Sequence, residues 1–338
     1  MKEFKCYICK EKLDEINKSK EHIIPNSIGG KLKSNNLLCK TCNSQFGDSL
    51  DNILTKQFKV ICNFLNIKRN RGKNQDIVAF NEEGAEFDYP ADPNQSGRLR
   101  KPHISVKKED DGKIKFSVFI QNKEQIYSII KKIENDYPNH KIENKEKVVK
   151  QAMESCEYNM PGSLTTESFV GNPEFFMALH KILINFFIYK TGDFEHIEHL
   201  INKLKNNDFN LDNVFYYVPE KIEKNTRLRN IKHQLVIISD KRTKKLYGYI
   251  ELFSVYRYII VLNENYNENH HFSYTHNVIT GEETDERKNV NYKNKKRIGD
   301  KEFSGDFIKE VNKLYDFINE KKQQEFFQSI YKILEDNV

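Results

Sequence analysis

Cys6-Tyr7-Ile8-Cys9, Glu21-His22-Ile23-Ile24-Pro25 and Cys39-Lys40-Thr41-Cys42-Asn43 are the runs that decide the fold of this 338-residue chain. Two C-x2-C knuckles at this separation suit one tetrahedral site of four thiolates around zinc. A redox dithiol usually comes as a single pair in a βαβ setting, whereas here both pairs lie in one short Lys-rich segment. Met1 to Lys20 is charged throughout and shows no secretory pattern. Disulfides are therefore not expected, and a reducing cytoplasm is. Cys62 and Cys156 have no C-x2-C partner and read as ordinary thiols.

The loop between the knuckles is polar and carries one imidazole, His22. Pro25 disfavours a helix just before it, so Glu21 to Ile24 is predicted to be extended. Ser27-Ile28-Gly29-Gly30 reads as a turn, and Asn35-Asn36-Leu37-Leu38 leads into the second knuckle. From about Cys39, apolar residues at Leu50, Ile53, Leu54 and Phe58 recur at helical spacing. Asn43 would then sit on the first helical turn, facing the His22 arm. Phosphodiester hydrolysis needs water deprotonated and the extra charge on phosphate neutralised. An imidazole does the first near neutral pH. A hard divalent cation held by oxygens, here Glu21 and the Asn43 amide, does the second. Asn36 could fix the His22 ring through its backbone.

These residues resemble the HNH (ββα-metal) endonucleases, in particular the branch with two zinc knuckles and an E-H-I-I-P core. The resemblance covers roughly residues 1 to 60 and rests on Glu21 to Pro25, Gly29-Gly30, Asn36-Leu37, Cys39-x2-Cys42 and Asn43. It implies a small zinc-stapled, treble-clef-like ββα-metal domain. In that domain His22 is the general base, Asn36 orients it, and Glu21 and Asn43 ligate the catalytic metal. Cys6, Cys9, Cys39 and Cys42 hold structural zinc. Many members carry Asp at the Glu21 position and His at the Asn43 position. An amide in the latter place leans toward Mg2+ or Mn2+ over softer ions. The reading from another class is a non-catalytic zinc module that binds nucleic acid or protein. Within the enzyme class the runner-up is an RNA-directed nuclease toxin.

The net charge of +6 is unevenly placed. Residues 1–73 hold 15 basic and 7 acidic side chains, while the remainder holds 40 and 42. Positive charge beside a catalytic loop steers polyanions and contacts phosphates. The basic run Lys68, Arg69, Arg71, Lys73 reads as a boundary that doubles as a phosphate-contacting strap. DNA is the partner the resemblance implies. No run is long and apolar enough to span a membrane.

The expected class is α+β: a nuclease domain over 1–70, then an accessory α+β domain over 74–338 with an antiparallel sheet, divided into two subdomains near 210–230. Ile104–Val106 and Ile114–Ile120 around Asp110-Asp111-Gly112 predict a hairpin. Glu124–Tyr137 predicts an amphipathic helix. Asn172-Pro173 opens a buried helix to about Lys190 that stops at Gly192, and Phe194–Leu204 predicts another. Strands are expected at 233–238, 246–253 and 256–262, and helices at 307–321 and 324–334. His196 and His199, like the His270-His271 pair, read as surface histidines. Lys293, Lys295, Lys296 and Arg297 read as a solvated loop. Tyr247, Tyr249, Tyr256 and Tyr258 read as sheet packing or base-stacking groups. The accessory part is expected to control cleavage by reading DNA, by sensing a small-molecule or nucleotide effector, or by forming a homodimer.

Overall fold

The knuckles are built before any regular element. Lys5 bridges Lys12, Cys6 N–H donates to the Glu11 carbonyl, and Lys10 N–H returns to the Cys6 carbonyl at 2.8 Å. Lys10 takes a positive φ of 63° to close that turn. The computed structural model describes residues 3–70, 72, 74–91, 95, 97–108, 110, 114–122, 124–138, 144–154, 165–166, 170–208, 212–219, 230–299, 305–318 and 320. Arg71, Lys73, Asp111, Gly112, Cys156, Lys321 and the helix expected at 324–334 lie outside the described residues.

After the first knuckle, β1 (Glu21–His22) pairs antiparallel with β2 (Lys33–Ser34). Between them Gly29 takes a φ of 95°. A Cβ on Gly30 would lie 1.8 Å from the Ile24 carbonyl oxygen, so only glycine fits there. The expected helix from Cys39 is three pieces, with Cys39 Sγ capping the first by accepting from Cys42 N–H. They are α1 (Lys40–Phe46), α2 (Asn52–Gln57) and α3 (Lys59–Phe64), with a π-turn at Gly47–Asp51 between the first two. The cysteine knuckles, β1–β2 and α1 form the ββα arrangement that the resemblance implies.

Residues 75–168 form one compact unit. It holds a sheet of β3 (Ile77–Phe80), β4 (Glu86–Tyr89) and β5 (Arg98–Leu99), and the predicted hairpin of β6 (His103–Lys108) and β7 (Ile114–Phe119). The helices α4 (Gln125–Asp136) and α5 (Lys145–Glu154) complete it. α4 buries Ile126, Ile129, Ile130 and Ile133 on one stripe, as its period requires.

The second compact unit joins residues 1–74 to residues 169–338. The division of the chain into compact units therefore differs from the 1–70 and 74–338 expected from sequence, and it does not fall near 210–230. α6 (Pro173–Thr191) starts as the sequence indicates: Asn172 Oδ1 accepts from Phe175 N–H, Pro173 follows, and Gly192 closes the helix at a φ of 72°. α7 (Glu198–Asn206) comes next. A seven-stranded antiparallel sheet follows, from β8 (Val214–Tyr217), β9 (Lys232–Asp240), β10 (Lys245–Leu252), β11 (Tyr256–Asn263), β12 (His270–Asn277), β13 (Glu283–Thr284) and β14 (Lys295–Arg297). Their order is β13-β12-β9-β10-β11-β8-β14. Residues 305–318 are helical.

α6 is buried almost all round, from Phe175 to Ile188. It contacts α2 and the π-turn as well as β9 and β10. Gly248 on β10 permits that approach, because a Cβ there would come 2.7 Å from Leu183. One continuous core thus runs from Tyr7, Ile23 and Leu54 through Leu183 to Ile237 and Ile250. Burying this much apolar surface is the main force that holds the knuckle segment to the sheet. His270 and His271, read as surface histidines, open β12, and Lys295–Arg297 of the expected loop form the edge strand β14 instead. No helix among the described residues is long and apolar enough to cross a membrane.

Candidate active site

The sulfurs come together. Cys9 Sγ and Cys39 Sγ lie 3.8 Å apart, and the ligand atoms of Cys6, Cys9, Cys39 and Cys42 all lie within 4.8 Å of one another. Zinc–sulfur bonds of ~2.3 Å in a tetrahedron place sulfurs about 3.8 Å apart, so the four cysteines fit one ion. Desolvation and the neighbouring thiols raise Cys9 to about 11 and push Cys42 well above the usual thiol range. Four thiolates do not share this space without a cation to neutralise them. Cys62 is a separate buried thiol, pushed up to about 12 by burial.

β1 and β2 sort the catalytic candidates by strand alternation. Glu21 and Ile23 face the core, at 2% and 0% exposure, while Lys20 is exposed and His22 is half-buried between them. On the partner strand Leu32 packs against the core. His22 faces Lys33 directly across the ladder. Glu21 and His22 are thus neighbours in sequence that project to opposite faces.

The inward carboxylate is held from α6. Lys181 Nζ lies 2.7 Å from Glu21 Oε1, and Asn185 Nδ2 donates to the same oxygen at 2.9 Å. Tyr7 O–H donates to Asn185 Oδ1 at 2.7 Å. The Lys181 ammonium also reaches both oxygens of Asp51, at 2.7 and 2.9 Å. Burial opposes charge on Lys181, but Asp51 and Glu21 more than offset it and hold its pKa above the ordinary value. Burial pushes the Glu21 carboxyl up, and Lys181 pulls it back. Lys181 and Asn185 stand four residues apart, one helical turn, inside an otherwise apolar helix. That spacing was the available sequence signal for this cluster, and it reads only as interruptions until the fold places β1 beside it.

His22 is surrounded differently. The Asn70 side-chain amide lies 3.4 Å from His22 Nε2, and Asn70 N–H is tied to Asn26 Oδ1 at 2.7 Å. Asn36, expected to orient the ring, is exposed and donates its N–H to Ser34 Oγ at 3.2 Å. The side-chain amide beside the ring is that of Asn70. Burial, then the positive charges of Lys33, Lys181, Lys20 and Lys31, lower the His22 pKa to about 4. Asn43 is on the first turn of α1, as predicted, and its Nδ2 donates to Ser19 Oγ at 2.5 Å. This orientation leaves its Oδ1 for a cation.

Two buried histidines that sequence reasoning passed over brace the loop after the motif. His233 on β9 and His276 on β12 are cross-strand partners. His233 Nε2–H donates to the Ile28 carbonyl at 2.8 Å and His276 Nε2–H to the Gly29 carbonyl at 2.9 Å. Burial lowers the His233 pKa to about 3, so this clamp stays neutral at ordinary pH. The other histidines stand apart from the site. His196 Nδ1 pairs with Asp193 Oδ2 at 2.6 Å, and His270 Nε2 pairs with Glu268 Oε2 at 2.9 Å. Of the basic strap, Lys68 is exposed and Arg69 half-buried. Tyr249 and Tyr258 are buried in the sheet, which leaves them no face for a base.

Residues 6–59 match the family model described as HNH endonuclease. No curated protein and no solved structure matches the chain. The matched segment holds both knuckles, β1, β2 and all of α1, so the chain carries an HNH endonuclease domain, followed by a larger additional α+β part.

Proposed function

We propose that this chain is a metal-dependent endonuclease that hydrolyses DNA phosphodiester bonds with His22 as general base. The observation that carries the reading is His22 itself. It is a neutral imidazole on the outward face of the ββα motif, with a cationic rim. In this reading Cys6, Cys9, Cys39 and Cys42 hold a structural zinc ion that fixes the motif. Asn43 Oδ1 is a hard donor that suits Mg2+ or Mn2+, whereas Glu21 faces the core and pairs with Lys181, on the face opposite His22. Lys181 and Asn185 both take Glu21 Oε1, which fixes this carboxylate inward and braces the strand that carries His22. Such an ion, once bound, would supply charge neutralisation at phosphate.

His22 accepts a proton from the attacking water. The ring takes that proton at Nε2, where the Asn70 amide at 3.4 Å gives way to the water, and Asn36 keeps the β2 end of the loop in place through Ser34. Residues 1–70 carry the catalysis in this assignment, and 74–338 recognise, sense or assemble. One site cuts one strand, which favours a homodimer for double-strand cleavage. A modular nuclease of this kind suits restriction or anti-phage defence in the cytoplasm. Lys68, Arg69, Arg71 and Lys73 would contact backbone phosphates.

Matched DNA and RNA substrates incubated with the purified chain in Mg2+ or Mn2+ test the assignment. DNA should be cut faster, and EDTA should stop the reaction. Faster cutting of RNA would favour the toxin reading, and no cutting of either in any divalent metal would favour the plain binding module.

A further inference from the structure

The outward face of the β1–β2 ladder holds more than the base. Lys20 directly precedes β1, Lys31 lies two residues before β2, and both, like Lys33, bear electrostatically on the His22 ring. His22 and Lys33 are directly opposed, a position in which Cβ atoms sit about 5 Å apart. The backbone ladder continues inward through Ile23 N–H to the Leu32 carbonyl at 2.9 Å, which holds this register. Gly29 and Gly30, with the histidine clamp behind them, fix the connecting loop.

These lysines are uncompensated. Lys18 nearby pairs with Glu15, but Lys20, Lys31 and Lys33 make no ion pair and no side-chain hydrogen bond among the described residues. Glu21, the carboxylate nearest in sequence, faces inward and is neutralised by Lys181. Lys33 is partly buried, whereas Lys20 and Lys31 are exposed. A partly buried lysine with no acid to pair with among the described residues, opposite an imidazole on the ladder, suits an anion.

We infer that Lys33 is a second catalytic residue, its ammonium binding a non-bridging oxygen of the phosphate attacked at His22, with Lys20 and Lys31 holding the flanking backbone phosphates. The ligand class is a nucleic-acid phosphodiester. The inference rests on the reading of His22 as the base. In the step, the water oxygen bonds to phosphorus while one water proton passes to His22. The ester oxygen leaves with its bonding pair and takes a proton from solvent, giving a phosphomonoester and a free hydroxyl. Lys33 keeps its proton throughout and pairs with the charge that accumulates on the non-bridging oxygen. A fixed donor of this kind typically contributes ~100-fold or more to rate.

Two measurements on the full zinc-loaded chain test it. In single-turnover cleavage of a short DNA duplex, Lys33→Gln should be slower than wild type by ~100-fold, and Lys33→Arg should recover much of the rate. In a His22→Ala background, adding Lys33→Gln should lower the slope of log affinity against log salt by about 0.9, one phosphate contact. Unchanged zinc content and melting temperature would show that the variants fold. A wild-type rate in Lys33→Gln overturns the proposal, whatever the slope does. A slow Lys33→Gln with an unchanged slope also overturns it, because the lysine then acts without touching phosphate. Cleavage by His22→Ala itself would instead strike the proposed base, and that result is read from a different variant.

Discussion

Glu21 and His22 teach the same point from two sides. Their identities, an acid and an imidazole in the loop between the knuckles, were legible in the sequence. Their directions were not, because a two-residue strand has no periodicity to read. Once β1 pairs with β2, alternation sends Glu21 to Lys181 and His22 to Lys33. Asn36 and Asn70 show the other limit. Asn36 has the expected motif position, but the side chain at the ring comes from Asn70, 48 residues beyond His22 and outside the matched segment. The environment of His22 has a consequence for pH. Burial and positive neighbours both disfavour the imidazolium, so the ring should stay neutral, with a lone pair available, until the pH falls to about 4. An NMR titration of the His22 ring in the free protein should find a midpoint near that value. A midpoint at or above the ordinary histidine value would show that the lysine rim and the burial do not act on the ring.

Among the elements, those with local signals were legible. The Asn172-Pro173 start and Gly192 stop of α6, the amphipathic α4, the β6–β7 hairpin and the strands β9 to β11 all appear where spacing and capping place them. The π-turn at Gly47–Asp51 was not legible, because nothing in the apolar spacing marks the extra residue. What α6 does was hidden as well. Its polar residues looked like breaks in a buried helix, yet Lys181 is the cation between Glu21 of β1 and Asp51 of the π-turn. Breaking such a pair leaves carboxylates buried without a counter-charge. Lys181→Met should therefore lower unfolding stability by about 3–5 kcal/mol near neutral pH, read by urea denaturation. The loss should shrink as pH falls, because protonating Glu21 removes the uncompensated charge. A loss under about 1 kcal/mol would mean that the carboxylates find water or another partner, as an exposed pair would.

For the whole molecule, the charge asymmetry and the two-part composition pointed to a basic nuclease segment with a larger companion. They did not show that residues 1–74 share one core with residues 169–338 while 75–168 form a separate unit. Long-range packing of this kind leaves no local pattern. The knuckle segment contributes Tyr7, Ile23, Leu54 and Phe58 to the core it shares with α6 and the sheet, and β9 and β12 reach its loop through His233 and His276. The site is therefore assembled from residues 1–74 and 169–338 together, with the four-cysteine cluster on one side and α6 on the other. The most direct test of the assembled site is metal-dependent DNA cleavage by full-length His22→Ala against wild type. Zinc content and melting temperature are measured on the same samples. The outcome expected is loss of cleavage with one zinc per chain and an unchanged fold. Cleavage at the wild-type rate by folded, zinc-loaded His22→Ala would contradict the assignment of His22 as the base.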